Sequence, residues 1–117
     1  MTSDRPIDLK ARLRAEGPGL ACWLMLGSTA VTEIMARAGY DAVMIDMEHG
    51  PMDFGAATEM LRALNGFDIA PLARVPANDP VYLKRVLDTG VTGVMVPAVH
   101  SVADAERAVA GCRYPPR

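Results

Sequence analysis

Apolar residues in this chain come in short runs that alternate with stretches where they recur every three or four positions. Leu20 to Leu26 (LACWLML), Ala42 to Ile45, Ile69 to Val75 (IAPLARV) and Val91 to Val99 are runs with short polar, glycine or proline boundaries. The flanking residues are Gly19, Gly27, Asp41, Asp46, Asp68, Pro76, Gly90 and His100, and the runs read as strands of a sheet covered on both faces. Between them, Val31, Ile34, Met35 and Ala38 share one helical face, as do Ala57, Met60, Leu61 and Leu64. The same holds for Tyr82, Leu83, Val86 and Leu87, and for Ala105, Ala108 and Val109. Ser28, Asp53, Asn78-Asp79 before Pro80, and Ser101 stand where N-caps belong, and Asp104 is a near match to a capping box. Gly39, Asn65-Gly66 and Thr89-Gly90 close three of these helices. A further short helix, Ile7 to Ala15, is predicted to stop at Gly17.

Strand and helix therefore alternate four times with connections of a few residues. This pattern predicts an α/β fold of consecutive right-handed βαβ units around a parallel sheet. Two architectures fit: a doubly wound open sheet, or about four units of a (β/α)₈ barrel. A closed barrel takes about 250 residues, and this sequence has 117. We expect a single partial domain, with residues 1–19 an N-terminal helix and turn and residues 20–117 a half-barrel. Tyr114-Pro115-Pro116-Arg117 reads as a rigid extended segment leading onward. A half-barrel leaves two strand edges and an apolar inner face uncovered, a physical reason to pair with another copy or to aggregate.

Half the residues are hydrophobic and 5% are aromatic, so the core must be built from Ala, Val, Leu, Ile and Met. The net charge of −2 gives no electrostatic reason to expect nucleic acid or an anionic membrane as partner. Arg5, Lys10, Arg12 and Arg14 cluster, but Asp4, Asp8 and Glu16 interleave with them. We read a solvated helix face there in preference to a phosphate-binding arm. Cys22 and Cys112 form no disulfide framework. With no signal-peptide core and no run of eighteen apolar residues, a reducing cytoplasmic setting is expected.

Chemistry concentrates in Tyr40 to Pro51 (YDAVMIDMEHGP), where an apolar strand ends in Asp46, Glu48 and His49. The C-terminal ends of parallel strands are where α/β folds keep their sites. A histidine beside carboxylates can act as a general base, because the acid fixes its tautomer and stabilises the imidazolium. Arg74, ending the third run, would meet the same face with a planar fork suited to an oxyanion. Periodicity alone does not separate these roles from a solvated loop histidine and a surface arginine. Asp46 and Glu48, two apart on a strand, would point the same way. Two carboxylates are fewer than a hard cation usually takes. Ser28 and Ser101 have no neighbouring base and read as helix caps. A receiver-type open sheet would need a lysine on a later strand, and no lysine follows Lys84.

Four strings in register carry a family resemblance: IDMEHGP at 45–51, LARVPANDP at 72–80, VLDTGVTGVMVPAV at 86–99 and RYPP at 113–116. Together they resemble the HpcH/HpaI aldolases, metal-dependent class II pyruvate aldolases that include 4-hydroxy-2-oxoheptanedioate and 2-keto-3-deoxy sugar-acid aldolases. The resemblance implies a (β/α)₈ barrel, of which this sequence carries the N-terminal half. It also implies a lyase that reversibly cleaves a 4-hydroxy-2-oxo acid to pyruvate and an aldehyde. On that resemblance His49 is the proton acceptor, working through a metal-bound water, and Arg74 polarises the keto oxygen and stabilises the enolate. Asp88 raises the histidine's basicity across a subunit contact, and Asp46 and Glu48 are supporting residues. A divalent cation (Mg²⁺, or Mn²⁺ or Co²⁺) is implied, with its ligands in the second half of the barrel and none assigned here. A homo-oligomer is implied as well. The fragment alone is expected to be inactive, and the alternative is a non-catalytic half-barrel that self-associates or binds a partner.

Overall fold

The structure is a computed structural model and describes residues 7–116. Its order is α1 (Leu9–Glu16), β1 (Ala21–Leu24), α2 (Thr29–Arg37), β2 (Ala42–Asp46), α3 (Phe54–Ala63), β3 (Ala70–Arg74), α4 (Pro80–Leu87), β4 (Gly93–Met95) and α5 (Val102–Gly111). The four strands form one sheet in the order β1-β2-β3-β4, and every neighbouring pair is parallel. Sequential order with a helix in each crossover is the arrangement of consecutive β/α units in a barrel.

Local chemistry places the helices where the pattern put them. The Ser28 hydroxyl accepts from the Val31 amide at 3.3 Å, Asp53 from Ala56 at 2.8 Å, Asp79 from Val81 at 2.7 Å and Ser101 from Asp104 at 3.1 Å. Each satisfies an amide that a first helical turn leaves unpaired. Asp104 returns a carboxylate oxygen to the His100 amide at 3.2 Å, one residue before the cap, where a full capping box would reach the cap's own amide. Pro80 sits in the first turn of α4, where its missing N–H costs nothing. Gly39 follows the end of α2 at φ 89°, a left-handed conformation in which a side chain is strained.

The core lies between one face of the sheet and the helices. Val43 and Ile45 of β2, and Ala73 and Val75 of and beyond β3, are packed with Ala57, Met60 and Leu61 of α3 and Leu83 and Val86 of α4. Residues two apart on a strand share a face, so Ala42, Met44 and Asp46 point to the opposite face of β2, and Leu72 and Arg74 to that face of β3. The parallel register sets Met44 beside Trp23 and Leu72, and Asp46 beside Arg74.

Some expectations need correcting. The fourth strand is three residues, not nine: the Val75 amide donates to Met95 O, and beyond it Pro97 has no N–H while Ala98 turns at φ 54°. Glu48 is not on the strand with Asp46 but in a tight turn closed by the Gly50 amide on the Asp46 carbonyl at 3.2 Å. Tyr114 does not lead outward in an extended segment; residues 112–116 bend, and the Tyr114 hydroxyl donates to Asp88 Oδ1 at 2.5 Å. Arg12 is not part of a simply solvated face. It makes a two-pronged pair with Asp68 at 2.8 and 2.7 Å, with Asp41 3.9 Å away, and so ties α1 to the loops before β2 and β3. Asp8 serves as the N-cap of α1. Arg5, Asp4 and Arg117 lie outside the described residues.

Candidate active site

The C-terminal ends of β1, β2 and β3 converge on one carboxylate. Asp46, the last residue of β2, is fully buried, and both its oxygens are occupied. Oδ1 accepts from Arg74 Nε at 2.9 Å and from the Glu48 and His49 amides at 3.0 and 3.2 Å. Oδ2 accepts from Arg74 Nη2 at 2.5 Å and from the Trp23 indole N–H at 3.0 Å. Five donors on one buried anion give it what water would have given. The Arg74 guanidinium, foremost, and then Trp23 and the two amides hold the Asp46 carboxyl far below the usual carboxylate range, against the upward push of burial. Arg74 is shifted up in turn, chiefly by its hydrogen bonds to Asp46 and with help from Glu48.

The strand ends also fix Arg74. It is the register partner of Asp46 across β2 and β3, and its carbonyl accepts from the Met47 amide at 3.0 Å. Glu48 Oε2 stands 3.1 Å from Nη1, so two carboxylates bracket the guanidinium. Its carbon lies 5.1 Å from the centre of the Trp23 ring, within cation–π range. A guanidinium has five N–H bonds. Two go to Asp46 and a third faces Glu48, which leaves two for another ligand.

His49 sits beside this cluster but is not fixed in the manner the sequence suggested. Asp46 engages its backbone amide, not its ring, and Glu48 Oε1 is 3.9 Å from Nε2. The imidazole is 65% exposed, free to meet a solute at the strand ends. Asp88 is elsewhere. It is the C-cap of α4, the helix that returns from the end of β3 to the start of β4, so it lies at the opposite end of the sheet from His49.

Trp23 also meets this cluster, although in the sequence it lies inside an apolar run that reads as strand. The signal was parity: Cys22 and Leu24 pack toward the helices, so the residue between them faces Asp46. An indole N–H on that face needs an acceptor.

Among the described residues no group of three or more His, Cys, Asp or Glu side chains could hold a metal ion. The donor chemistry agrees, since Asp46 has both oxygens taken and Glu48 faces an arginine. These residues do not by themselves fit a cation. No described helix is long and apolar enough to cross a membrane.

Comparison with known proteins gives this geometry its context. The family model described as HpcH/HpaI aldolase/citrate lyase matches residues 20–117, and the chain belongs to that family. It is 42% identical over 111 residues to the 5-keto-4-deoxy-D-glucarate aldolases of Salmonella paratyphi A (strain ATCC 9150 / SARB42) and Salmonella newport (strain SL254). Those alignments cover 95% of this chain and 43% of each relative, so the chain spans less than half their length. Among solved structures, an HpcH/HpaI aldolase/citrate lyase family protein from Burkholderia cenocepacia J2315 superposes with a TM-score of 0.84 at 42% identity, covering 92% of this chain and 43% of that one. The citrate synthase SbnG superposes at 0.83 with 32% identity, over 92% of this chain and 44% of its own.

Proposed function

We propose that this chain supplies one side of the active site of an aldolase that cleaves a 4-hydroxy-2-oxo acid to pyruvate and an aldehyde. The observation that carries the reading is the Arg74 fork, clamped by Asp46 and Glu48 at the strand ends with two N–H bonds left over and an exposed imidazole nearby. His49 takes the proton of the 4-hydroxyl. The C3–C4 bond breaks, the carbonyl forms on the departing aldehyde, and the electron pair passes into the C2 carbonyl of the oxo acid. The product of that half is the enolate of pyruvate, whose oxyanion Arg74 stabilises, and a proton delivered to C3 completes pyruvate. A preorganised donor in a water-poor site contributes about 10²–10³ in rate to such a step.

Asp88 acts on an imidazole of a neighbouring subunit in this reading, which requires a homo-oligomer. A divalent cation, Mg²⁺, Mn²⁺ or Co²⁺, would be held by acidic residues other than those described and would supply Lewis acidity. Asp46 and Glu48 support Arg74 and are not ligands of that cation. We place the protein in the cytoplasm, and the relatives' names favour 5-keto-4-deoxy-D-glucarate as the first substrate to assay.

The test replaces the matching segment of the 42%-identical Salmonella aldolase with residues 20–117 and measures pyruvate release from that substrate. An active chimera whose His49→Ala variant loses about 10²–10⁴ in kcat supports the reading. A folded chimera that keeps its rate after that substitution overturns it.

One observation favours a second reading, a half-barrel that pairs with a second copy. Trp23, Met25 and Met95 are 44%, 45% and 40% exposed, apolar surface left open beside unpaired strand edges. Light scattering on the eluting chain tests this second reading. A compact dimer supports pairing, and a monomer that binds an apolar dye counts against it.

A further inference from the structure

We propose that Trp23 is a positioning residue for the site: its indole N–H holds Asp46 in place, and its ring face holds the guanidinium of Arg74. Trp23 sits on β1, one strand away from Asp46 and two away from Arg74, yet it contacts both. The parallel register pairs Trp23 with Met44, one inward-facing position short of Asp46. Only a side chain as long as indole, leaning along the strand, spans that offset and arrives with a donor.

The geometry gives the two halves of the indole separate tasks. Asp46 is wholly buried, and each of its oxygens needs its donors. Without the indole N–H, Oδ2 keeps a single partner, Arg74 Nη2, while Oδ1 keeps its three, so the buried oxygen is left under-satisfied and the Asp46–Arg74 pair loses its tie to β1. The ring covers one face of the guanidinium, whose edge is held by Asp46 and Glu48. Arg74 is thereby fixed in plane by the carboxylates and out of plane by the ring. That restraint keeps the two remaining N–H bonds aimed in one direction, as binding an oxo acid or its enolate requires. Phenylalanine at this position keeps an aromatic face but has no donor. Leucine has neither.

Trp23 is the single tryptophan of the 117 residues. Replacing all tryptophan biosynthetically therefore alters this side chain alone. Substitution with benzothienylalanine, which puts sulfur in place of the indole N–H at nearly unchanged size, isolates the hydrogen bond from the ring.

The experiment reads hydrogen exchange at the Arg74 Nε–H by nitrogen-15 NMR on the 117-residue chain, with the resonance assigned by its loss in Arg74→Lys. Near-ultraviolet circular dichroism checks the fold. The expected result is a protected Nε–H in the native chain and exchange faster by at least about tenfold in the benzothienylalanine protein, the factor that a lost charge-assisted hydrogen bond carries. Trp23→Phe should match it, and Trp23→Leu should exchange faster still. Equal protection in the native and benzothienylalanine proteins overturns the proposal. Should the altered chains unfold, the indole N–H of Trp23 is read instead in Asp46→Asn. Exchange at least about tenfold faster than in the native chain supports the contact, and unchanged exchange overturns it. The link from this restraint to catalysis rests on the aldolase reading. The exchange itself is measured without substrate, so failure of that reading leaves this result standing.

Discussion

Asp46 and Arg74 face each other in register across two parallel strands and are joined side-on by two hydrogen bonds, with the carboxylate fully buried. Removing Asp46 strips two guanidinium N–H bonds of their buried acceptor and leaves Arg74 only the more exposed Glu48. Asp46→Ala should therefore destabilise the chain by about 3–5 kcal/mol in a urea melt. Glu33→Ala, which breaks an exposed pair with Arg37 on α2, should cost less than about 1 kcal/mol. Similar costs for the two substitutions would mean that the Asp46 pair does not anchor the site.

The same carboxylate sets the acid limit of the fold. Its pKa in the folded chain lies well below the unfolded value near 4, because Arg74 and the other donors favour the anion. A depressed carboxylate contributes stability that is complete above the unfolded pKa and is lost as pH falls through the folded one. Melting temperature should thus be steady near neutrality and decline below about pH 4. In Asp46→Asn the decline should be shallower. A wild-type profile that matches the variant's would contradict the assignment.

Gly50 closes the turn that carries His49. A side chain there would collide with the Asp46 carbonyl and with the Met52 side chain, whose Cε would lie 2.6 Å away. Gly50→Ala must open the turn, weakening the amide contacts of Glu48 and His49 to Asp46. The expected cost is about 1–3 kcal/mol, with amide exchange at His49 rising alongside. Retained protection at His49 would show that the turn does not depend on glycine.

Tyr114 and Asp88 form a pair at the other end of the sheet. The neutral phenol donates to Asp88, and ionising it would set two negative charges side by side, so its pKa is pushed above the usual phenol value. The difference in phenolate absorbance between the native chain and Asp88→Asn should show one tyrosine ionising at lower pH in the variant. Superimposable titrations would count against the contact.

Much of this fold is legible in the sequence because the deciding interactions are local. Caps at Ser28, Asp53, Asp79 and Ser101 need only neighbouring amides, and the apolar stripe from Ala57 to Leu64 needs only helical periodicity. The shortness of β4 was not legible, since its length is set by its pairing with β3, its one neighbouring strand among the described residues, and by the turn at Ala98. In the site, Asp46, Glu48 and Arg74 could be drawn to one face by strand order alone. Which carboxylate holds the arginine, and that His49 is engaged by its amide and not its ring, depends on the turn at Gly50. Trp23 was hidden because an aromatic in an apolar run looks like core until its parity is compared with the next strand. The fold of Tyr114 back onto Asp88 joins positions 26 residues apart and has no local signature.

In the proposed function Arg74 holds the oxyanion of a pyruvate enolate. Exchange of the pyruvate methyl protons with deuterated water, followed by proton NMR, measures enolate formation without an aldehyde. In the chimera carrying residues 20–117, exchange should be catalysed, and Arg74→Ala should slow it by at least about 10². Exchange in the folded Arg74→Ala chimera at the parent rate would show that Arg74 does not hold the enolate.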